Sequence, residues 1–249
     1  MKVVYHRDFN QTYSSDPAAA HGRIEAVVKV IRDRVTFVEA TPADLEDIAY
    51  VHTRSHMDRV VREGVFAIAA LAAGGAIQAA IIGLKEPCFA LIRPPGHHAS
   101  ADSSWGFCYF NNMAIALEKL KREGEIKRAF VLDFDLHFGD GTVNILGGKE
   151  YVALYNPSAS DRNAYLKDVK EHLFSEGADI IGVSAGFDNH VEDWGDLLTT
   201  ADYQEMGRFV REASEKNRGG CFALLEGGYN HKVLGQNVMA FLDGLEGDG

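Results

Sequence analysis

Four ionisable side chains fall within eight consecutive positions of one stretch, Asp133-Phe134-Asp135-Leu136-His137-Phe138-Gly139-Asp140. The preceding residues 129–132 are apolar, which predicts a buried strand whose last residues emerge at the edge of a sheet. Because side chains alternate along a strand, we expect Asp133, Asp135 and His137 to project to one side. Isolated buried charges are too costly to keep without a cation or partner, so these three are candidates for a metal site. A salt-bridged strand end is the simpler alternative.

A pair of histidines lies on a second candidate loop, Arg93-Pro94-Pro95-Gly96-His97-His98-Ala99. The apolar run 88–92 predicts the strand before it, and two prolines and a glycine end that strand. An imidazole changes its charge near neutral pH. Two histidines on a rigid loop just past a buried strand therefore indicate acid–base chemistry.

Apolar runs of strand length alternate with helical patterns along the chain. The predicted strands are residues 1–5, 36–39, 88–92, 129–132, 152–155, 179–183 and 221–225. The predicted helices are residues 17–32, one opening at 41–44, 64–84, 113–122, 161–176, 200–216 and 231–245. This alternation predicts an α/β fold with a central, mostly parallel sheet flanked by helices on both faces. A length of 249 residues suits a single domain, residues 1–249.

The candidate side chains all follow predicted strands. They are His97, His98, Asp135, His137, Asp188 and Tyr229. In a parallel sheet the carboxyl ends of the strands share one rim, which is where open α/β folds bind their ligands. Asp188 is then the natural third ligand beside Asp135 and His137. Two aspartates and one histidine leave a coordination position open, as a catalytic Zn²⁺ requires, and Fe²⁺ or Co²⁺ suits the same ligands.

The composition restricts the partners of the protein. The formal net charge is −11 and the sequence contains no Lys and Arg cluster, so we expect no nucleic acid to bind. An acidic surface suits a cationic substrate, although ordinary solubility explains the same charge. Cys88, Cys108 and Cys221 are odd in number and lie in apolar runs, which predicts reduced core thiols.

Two features bear on localisation. The N-terminal residues lack a basic segment followed by a long apolar one, which argues against secretion and predicts a cytoplasmic protein. Residues 64–84 are uncharged and are long enough to span a bilayer. Their alanines, Gly74, Gly75 and Gln78 instead predict a helix packed tightly inside the protein, so we expect no membrane association.

Five motifs, in this order, resemble the histone deacetylase superfamily, which includes acetylpolyamine amidohydrolases and acetoin-utilisation-like proteins. The motifs are RPPGHHA at 93–99, GFCYFNN at 106–112, DFDLHFGDG at 133–141, SAGFD at 184–188 and EGGY at 226–229. The resemblance covers nearly the whole chain. It implies the arginase–deacetylase fold and a zinc-dependent amidohydrolase.

Carried over residue by residue, the resemblance makes Asp135, His137 and Asp188 the zinc ligands. It makes His98 the general base that takes a proton from the attacking water. His97 is then the neighbouring histidine that assists electrostatically.

The resemblance also assigns the residues around the two histidines. Asp140 and Asp133 match the carboxylates that orient them. Tyr229 matches the phenol that polarises the scissile carbonyl together with the metal, and Gly106 and Phe107 match residues that line the acyl tunnel. A structural monovalent cation, K⁺ or Na⁺, is implied around the Asp133–His137 segment.

Some parts of the sequence depart from the family. Phe138 stands where many members carry a second histidine. Residues 52–63 lack the long loop that usually carries a substrate-gripping acid, for which Asp58 is a weak substitute. The turn after Tyr155 lacks the aromatic residue that commonly forms one tunnel wall. We therefore expect a shallower site, or one completed by a second copy of the chain in a homo-oligomer.

The expected substrate is a small acetylated cationic amine such as an acetylpolyamine. The loop after Asp188 carries Glu192 and Asp196, which we expect to attract the cation, and Trp194, whose ring can make a cation–π contact. A solvated acidic loop is an equally simple interpretation. The alternatives are a protein acetyl-lysine deacetylase, a ureohydrolase with two manganese ions, and a metal-dependent binding or sensor protein without turnover.

Overall fold

The structure is a computed structural model that describes residues 1–175 and 177–247. Its strands are β1 Lys2–Tyr5, β2 Thr36–Glu39, β3 Cys88–Ala90, β4 Ala129–Asp133, β5 Val152–Tyr155, β6 Ile180–Ala185 and β7 Gly220–Leu225. Its helices are α1 Arg23–Ile31, α2 Leu45–Val51, α3 Arg54–Arg62, α4 Phe66–Gly83, α5 Asn112–Arg122, α6 Asp140–Leu146, α7 Arg162–Ser175, α8 Thr200–Asn217 and α9 His231–Glu246. Short 3-10 turns span Arg7–Asn10 and Pro17–Ala19.

The strands form one sheet in the order β2-β1-β3-β7-β6-β4-β5. Every strand pairing is parallel. The helices cover the sheet, so its central strands are buried and consist of continuous apolar runs. This confirms the predicted α/β fold class. The carboxyl ends of β4, β6 and β7 lie side by side, and the loops after these three strands carry most of the candidate residues.

Helix α4 is the uncharged segment that the sequence predicted to be buried. By length and composition it could cross a membrane, but 67% of its residues are buried inside the protein. Small residues allow this helix to approach its neighbours closely. A Cβ atom added at Gly74 would overlap the carbonyl oxygen of Thr41, and one at Gly75 would lie 2.8 Å from Ile92 Cγ2. The compartment of the protein stays a prediction.

The structure corrects several predicted elements. The helix predicted over 17–32 is divided, because Asp16 caps a 3-10 turn and Gly22, at φ 85°, precedes α1. Helices α3 and α6 were not among the predicted helices. Thr53, the N-cap of α3, accepts a hydrogen bond from the His56 amide. Strand β4 ends at Asp133, so the alternation expected beyond it does not occur. The cysteines are free and buried, as predicted.

The close packing of α4 gives a stability prediction. Gly74→Ala should lower the free energy of unfolding by about 1–3 kcal/mol in a urea titration, because the new methyl group meets rigid backbone at Thr41 and Ala43. This cost exceeds the gain of about 1 kcal/mol that alanine brings to a helix. The control is Gly148→Ala, since a Cβ atom there meets nothing within 4 Å. Equal stability of the two variants would contradict the packing argument.

Candidate active site

Asp135, His137 and Asp188 form a compact group at the carboxyl rim. Asp135 and His137 lie on the loop after β4, and Asp188 lies after the neighbouring strand β6. Their ligand atoms all lie within 4.8 Å of one another. His137 Nδ1 is 3.2 Å from Asp135 Oδ1 and 3.2 Å from Asp188 Oδ2. The structure thus brings the three predicted ligands together, although Asp133 points elsewhere.

The group has an excess of buried negative charge, which fits a divalent cation. Burial, together with the charge of Asp135, raises the pKa of Asp188 to about 6. Hydrogen bonding to Asp135 and Asp188 raises the pKa of His137 to about 10. Asp188 Oδ2 is buried and, among the described residues, makes no well-formed hydrogen bond; its nearest polar neighbour is the candidate ligand His137, whose Nδ1 lies 3.2 Å away. A buried carboxylate oxygen in this state and an oxygen–nitrogen donor set are what Zn²⁺, Fe²⁺ or Co²⁺ would use.

The two histidine rings lie against each other at an angle of 40°, and each contacts its own carboxylate. Their ring centroids are 4.0 Å apart. His97 Nδ1 lies 3.0 Å from Asp133 Oδ2, and His98 Nδ1 lies 2.7 Å from Asp140 Oδ1. An ionised carboxylate only accepts hydrogen bonds, so each Nδ1 carries the proton and each Nε2 faces away from its carboxylate.

These surroundings move the pKa values of the two histidines in opposite directions. Burial and the neighbouring charge of His97 lower the pKa of His98 to about 4. Burial also opposes protonation of His97, but the charges of Asp133 and Asp135 outweigh it and raise the pKa well above its usual value. Neighbouring groups with separated pKa values identify the acid and the base of a site. By this criterion His98 is the candidate base and His97 the candidate cationic partner, as the sequence predicts.

Tyr229 follows β7, and contacts with Asp193 and Arg23 fix its position. Asp193 Oδ2 accepts hydrogen bonds from the amides of Tyr229 and Asn230, each at 2.7 Å. The buried guanidinium of Arg23 donates to the carbonyl of Gly228 just before the phenol and lies 5.4 Å from the centre of its ring. Burial raises the pKa of Tyr229 above its ordinary value, so the phenol keeps its proton and can donate it in a hydrogen bond.

Two supporting residues were missed by the sequence reasoning. Glu226 Oε2 accepts hydrogen bonds from the amides of Gly96 and His97 at 2.7 and 3.2 Å, which fixes the histidine loop against β7. Burial raises the pKa of Glu226 to about 7. Arg23 also donates to the carbonyl of Glu226. The sequence signal for Arg23 was a charged residue at the start of an apolar helix. The signals for Glu226 were an acid at the end of an apolar strand and its place in the EGGY motif.

The candidate catalytic side chains line one small cavity. Its volume is about 100 Å³, and it is lined by Pro95, His97, His98, Trp105, Gly106, Phe107, His137, Trp194, Gly227 and Tyr229. Gly106 and Phe107 therefore lie where they were predicted to line a tunnel. A larger cavity of about 520 Å³ lies beyond the ends of β1 and β2. We assign the chemistry to the small cavity because it alone, of these two, contains the histidine pair and a metal-ligand candidate.

The acidic residues predicted to bind substrate lie outside this cavity. Glu192 and Asp196 are exposed and do not line it, so their role stays a prediction. Asp193 accepts hydrogen bonds from two backbone amides, so its carboxylate has a structural role. Trp194, on the same loop, lines the cavity and stacks on Tyr229 with ring centroids 4.1 Å apart.

Comparisons with known proteins agree with this geometry. A family model described as "Histone deacetylase domain" matches residues 18–165 and 157–245. The fold is that of a parallel-sheet amidohydrolase with its site at the carboxyl rim. The chain belongs to the histone deacetylase family.

Two curated relatives and one solved structure illustrate the similarity. "Probable deacetylase" of Methanothermobacter thermautotrophicus is 32% identical, over 91% of this chain and 85% of that protein. "Histone deacetylase-like amidohydrolase" of Pseudomonas aeruginosa is 27% identical, over 86% of this chain and 71% of that protein. The crystal structure of the HDA15 HD domain matches 100% of this chain and 90% of that chain, with a TM-score of 0.83 and 23% identity. This last match confirms the arginase–deacetylase fold.

The ligand assignment predicts the effect of removing one carboxylate. Asp188→Ala should lose stoichiometric Zn²⁺, because two remaining ligands hold the ion poorly. Elemental analysis of protein dialysed against Zn²⁺ and then desalted measures this. The control is Asp196→Asn, an exposed acid on the following loop, which should keep the ion. Full zinc occupancy in Asp188→Ala would show that Asp188 is not a metal ligand.

Proposed function

We propose that this protein is a divalent-metal-dependent hydrolase that removes an acetyl group from an amine. The observation that carries the proposal is that one cavity is lined by an imidazole paired with a carboxylate, a metal-ligand candidate and a phenol, those of His98, His137 and Tyr229. Amide hydrolysis needs a base for water, stabilisation of the oxyanion and a polarised carbonyl. Family membership supports the reaction class.

Each protein group has one task in this reaction. A cation held by Asp135, His137 and Asp188 would supply Lewis acidity to a carbonyl and to water. His98 accepts the proton of the attacking water at Nε2, while Asp140 holds its Nδ1. The same Nε2 then passes this proton to the amine nitrogen as the C–N bond breaks, which releases acetate and the free amine.

Two further groups stabilise the negative charge that develops on the substrate during the reaction. His97, kept cationic by Asp133, places positive charge beside the reacting centre. Tyr229 donates a hydrogen bond from its phenolic O–H to the developing oxyanion. One such donor is worth about 10²–10³ in rate.

We also propose a monovalent cation, K⁺ or Na⁺, behind the site. Ser184 Oγ is buried and lacks a hydrogen-bond partner among the described residues. In the sheet register Ser184 lies opposite Asp133, whose carboxylate is buried as well. An oxygen-rich buried position with an unpaired hydroxyl suits a hard cation.

The proposed substrate is a small acetylated cationic amine. A cavity of about 100 Å³ has room for a short acyl group. At its mouth the indoles of Trp105 and Trp194 are 54% and 51% exposed, and their ring faces can attract a cation. The net charge of −11 favours capture of the same class of molecule. Acetyl-lysine in a protein is the second candidate, because several relatives are named histone deacetylases.

The deciding experiment is a turnover screen of the metal-loaded protein. Acetate release is measured from acetylputrescine, acetylspermidine, an acetyl-lysine peptide and a neutral N-acetylalkylamine. We expect turnover that a chelator abolishes and Zn²⁺, Fe²⁺ or Co²⁺ restores, with the polyamines preferred. Preference for the acetyl-lysine peptide would indicate that the substrate is acetyl-lysine in a protein. Ligand binding without acetate release from any compound would contradict hydrolysis.

The role of the phenol is tested by Tyr229→Phe. This change keeps the ring and its stacking on Trp194 but removes the hydroxyl, so kcat should fall by about 10²-fold or more. Metal content and thermal midpoint should stay at the wild-type values. An unchanged rate would make Tyr229 a packing residue only.

The acidic loop is tested with Glu192→Gln and Asp196→Asn combined. Since both carboxylates are exposed and lie outside the cavity, they act through the electric field, which about 0.1 M salt screens beyond about 10 Å. The double variant should raise KM for acetylspermidine, as added salt should in the wild type. KM for the neutral N-acetylalkylamine should not change. An equal response of both substrates would exclude charge recognition by this loop.

A further inference from the structure

Trp105 makes two contacts with the proposed base and its carboxylate. Its indole stacks on the His98 imidazole, with ring centroids 3.8 Å apart and an interplanar angle of 28°. Its Nε1 donates a hydrogen bond of 2.9 Å to Asp140 Oδ2. Asp140 Oδ1 lies 2.7 Å from His98 Nδ1. One side chain therefore touches both members of the His98–Asp140 pair.

The imidazole of His98 is enclosed on both faces. His97 lies against it with ring centroids 4.0 Å apart, and Trp105 stacks on it as well. The chain after the indole turns sharply, with positive φ values of 57° at Gly106 and 68° at Phe107. A Cβ atom at Gly106 would overlap the His98 ring. The backbone therefore brings the indole onto His98 and leaves little room for that ring to rotate.

The indole hydrogen bond completes the set of contacts to the Asp140 carboxylate. Asp140 is only partly buried, so without the indole its second oxygen would be open to solvent. Burial raises the pKa of Asp140, but the hydrogen bonds from Trp105 and His98 outweigh it and lower the pKa. With one donor on each oxygen, the plane of the carboxylate is fixed.

We propose that Trp105 is a positioning residue for the proposed hydrolysis, which fixes the orientation of the Asp140 carboxylate and of the His98 ring. The inference rests on the proposed function for its kinetic consequence. Trp105 is 54% exposed, and it contacts the site by stacking on the His98 ring and by its hydrogen bond to the Asp140 carboxylate. Trp105 acts through Asp140 and His98 and takes no part in bond making.

The kinetic test separates the hydrogen bond from the stacking. Trp105→Phe keeps a ring over His98 and removes the N–H donor, and Trp105→Leu removes both. We expect kcat to fall about tenfold in the first variant and about a hundredfold in the second, the range found when an orienting partner is lost. KM should change less than kcat in Trp105→Phe, because the aromatic wall of the mouth remains. Thermal midpoint and zinc content should not change.

A double-mutant cycle tests whether Trp105 acts through Asp140. In the Asp140→Ala background, measured with an activated trifluoroacetyl substrate, Trp105→Phe should have no further effect on kcat. Trp194→Phe is the matched control, since this second indole also lines the cavity but stacks on Tyr229. Its effect should add to that of Asp140→Ala. Additivity for Trp105→Phe as well would overturn the inference.

A second readout does not depend on turnover. In protein labelled with ¹⁵N-histidine, Trp105→Phe should shift the His98 ring nitrogens and speed exchange of the Nδ1 proton, with or without Zn²⁺. Unchanged His98 signals in this variant would overturn the inference. If the wild type releases no acetate from any substrate, the proposed function is wrong, and the NMR result still decides whether Trp105 orients the pair.

Discussion

Buried negative charge at the carboxyl rim is the constraint on which the rest of the site depends. Asp133, Asp135, Asp188 and Glu226 are all at most 5% exposed, and they follow three adjacent strands. Carboxylates removed from water are costly unless cations or hydrogen-bond donors face them. The protein supplies His97, His137 and the amides of the neighbouring loops. The remaining excess of negative charge is why the site suits a divalent cation.

This constraint also explains the small residues between the strand ends. The Gly227 amide donates to Asp135 Oδ2 at 2.8 Å, and a Cβ atom on Gly227 would lie 2.5 Å from that oxygen. A side chain here would push the carboxylate away from its donor. The backbone therefore serves as both hydrogen-bond donor and wall of the site. The carboxylates keep one orientation because the loops after β4 and β7 touch each other directly.

The sequence predicted the sheet and the charged rim because apolar runs of strand length end in ionisable residues. It failed where contacts between distant segments decide the structure. Strand alternation placed Asp133 with Asp135 and His137, but β4 ends at Asp133, which faces His97. The break before α1 depends on the conformation of Gly22. The indole of Trp105 contacts Asp140, 35 positions away, next to a left-handed turn at Gly106 and Phe107. No local sequence pattern predicts this contact.

The inner and outer parts of the cavity use different interactions. The inner part is polar, with His97, His98 and His137, and it holds the groups that would act on a carbonyl in the proposed reaction. The outer part is aromatic, and Trp105 and Trp194 together cover the base and the phenol. An indole face attracts both apolar chains and cations, so the mouth does not select among amines by shape. If the substrate is the proposed cationic amine, selection for its charge would come from the field of the exposed acidic loop, which would act on the rate of capture more than on the bond-breaking step.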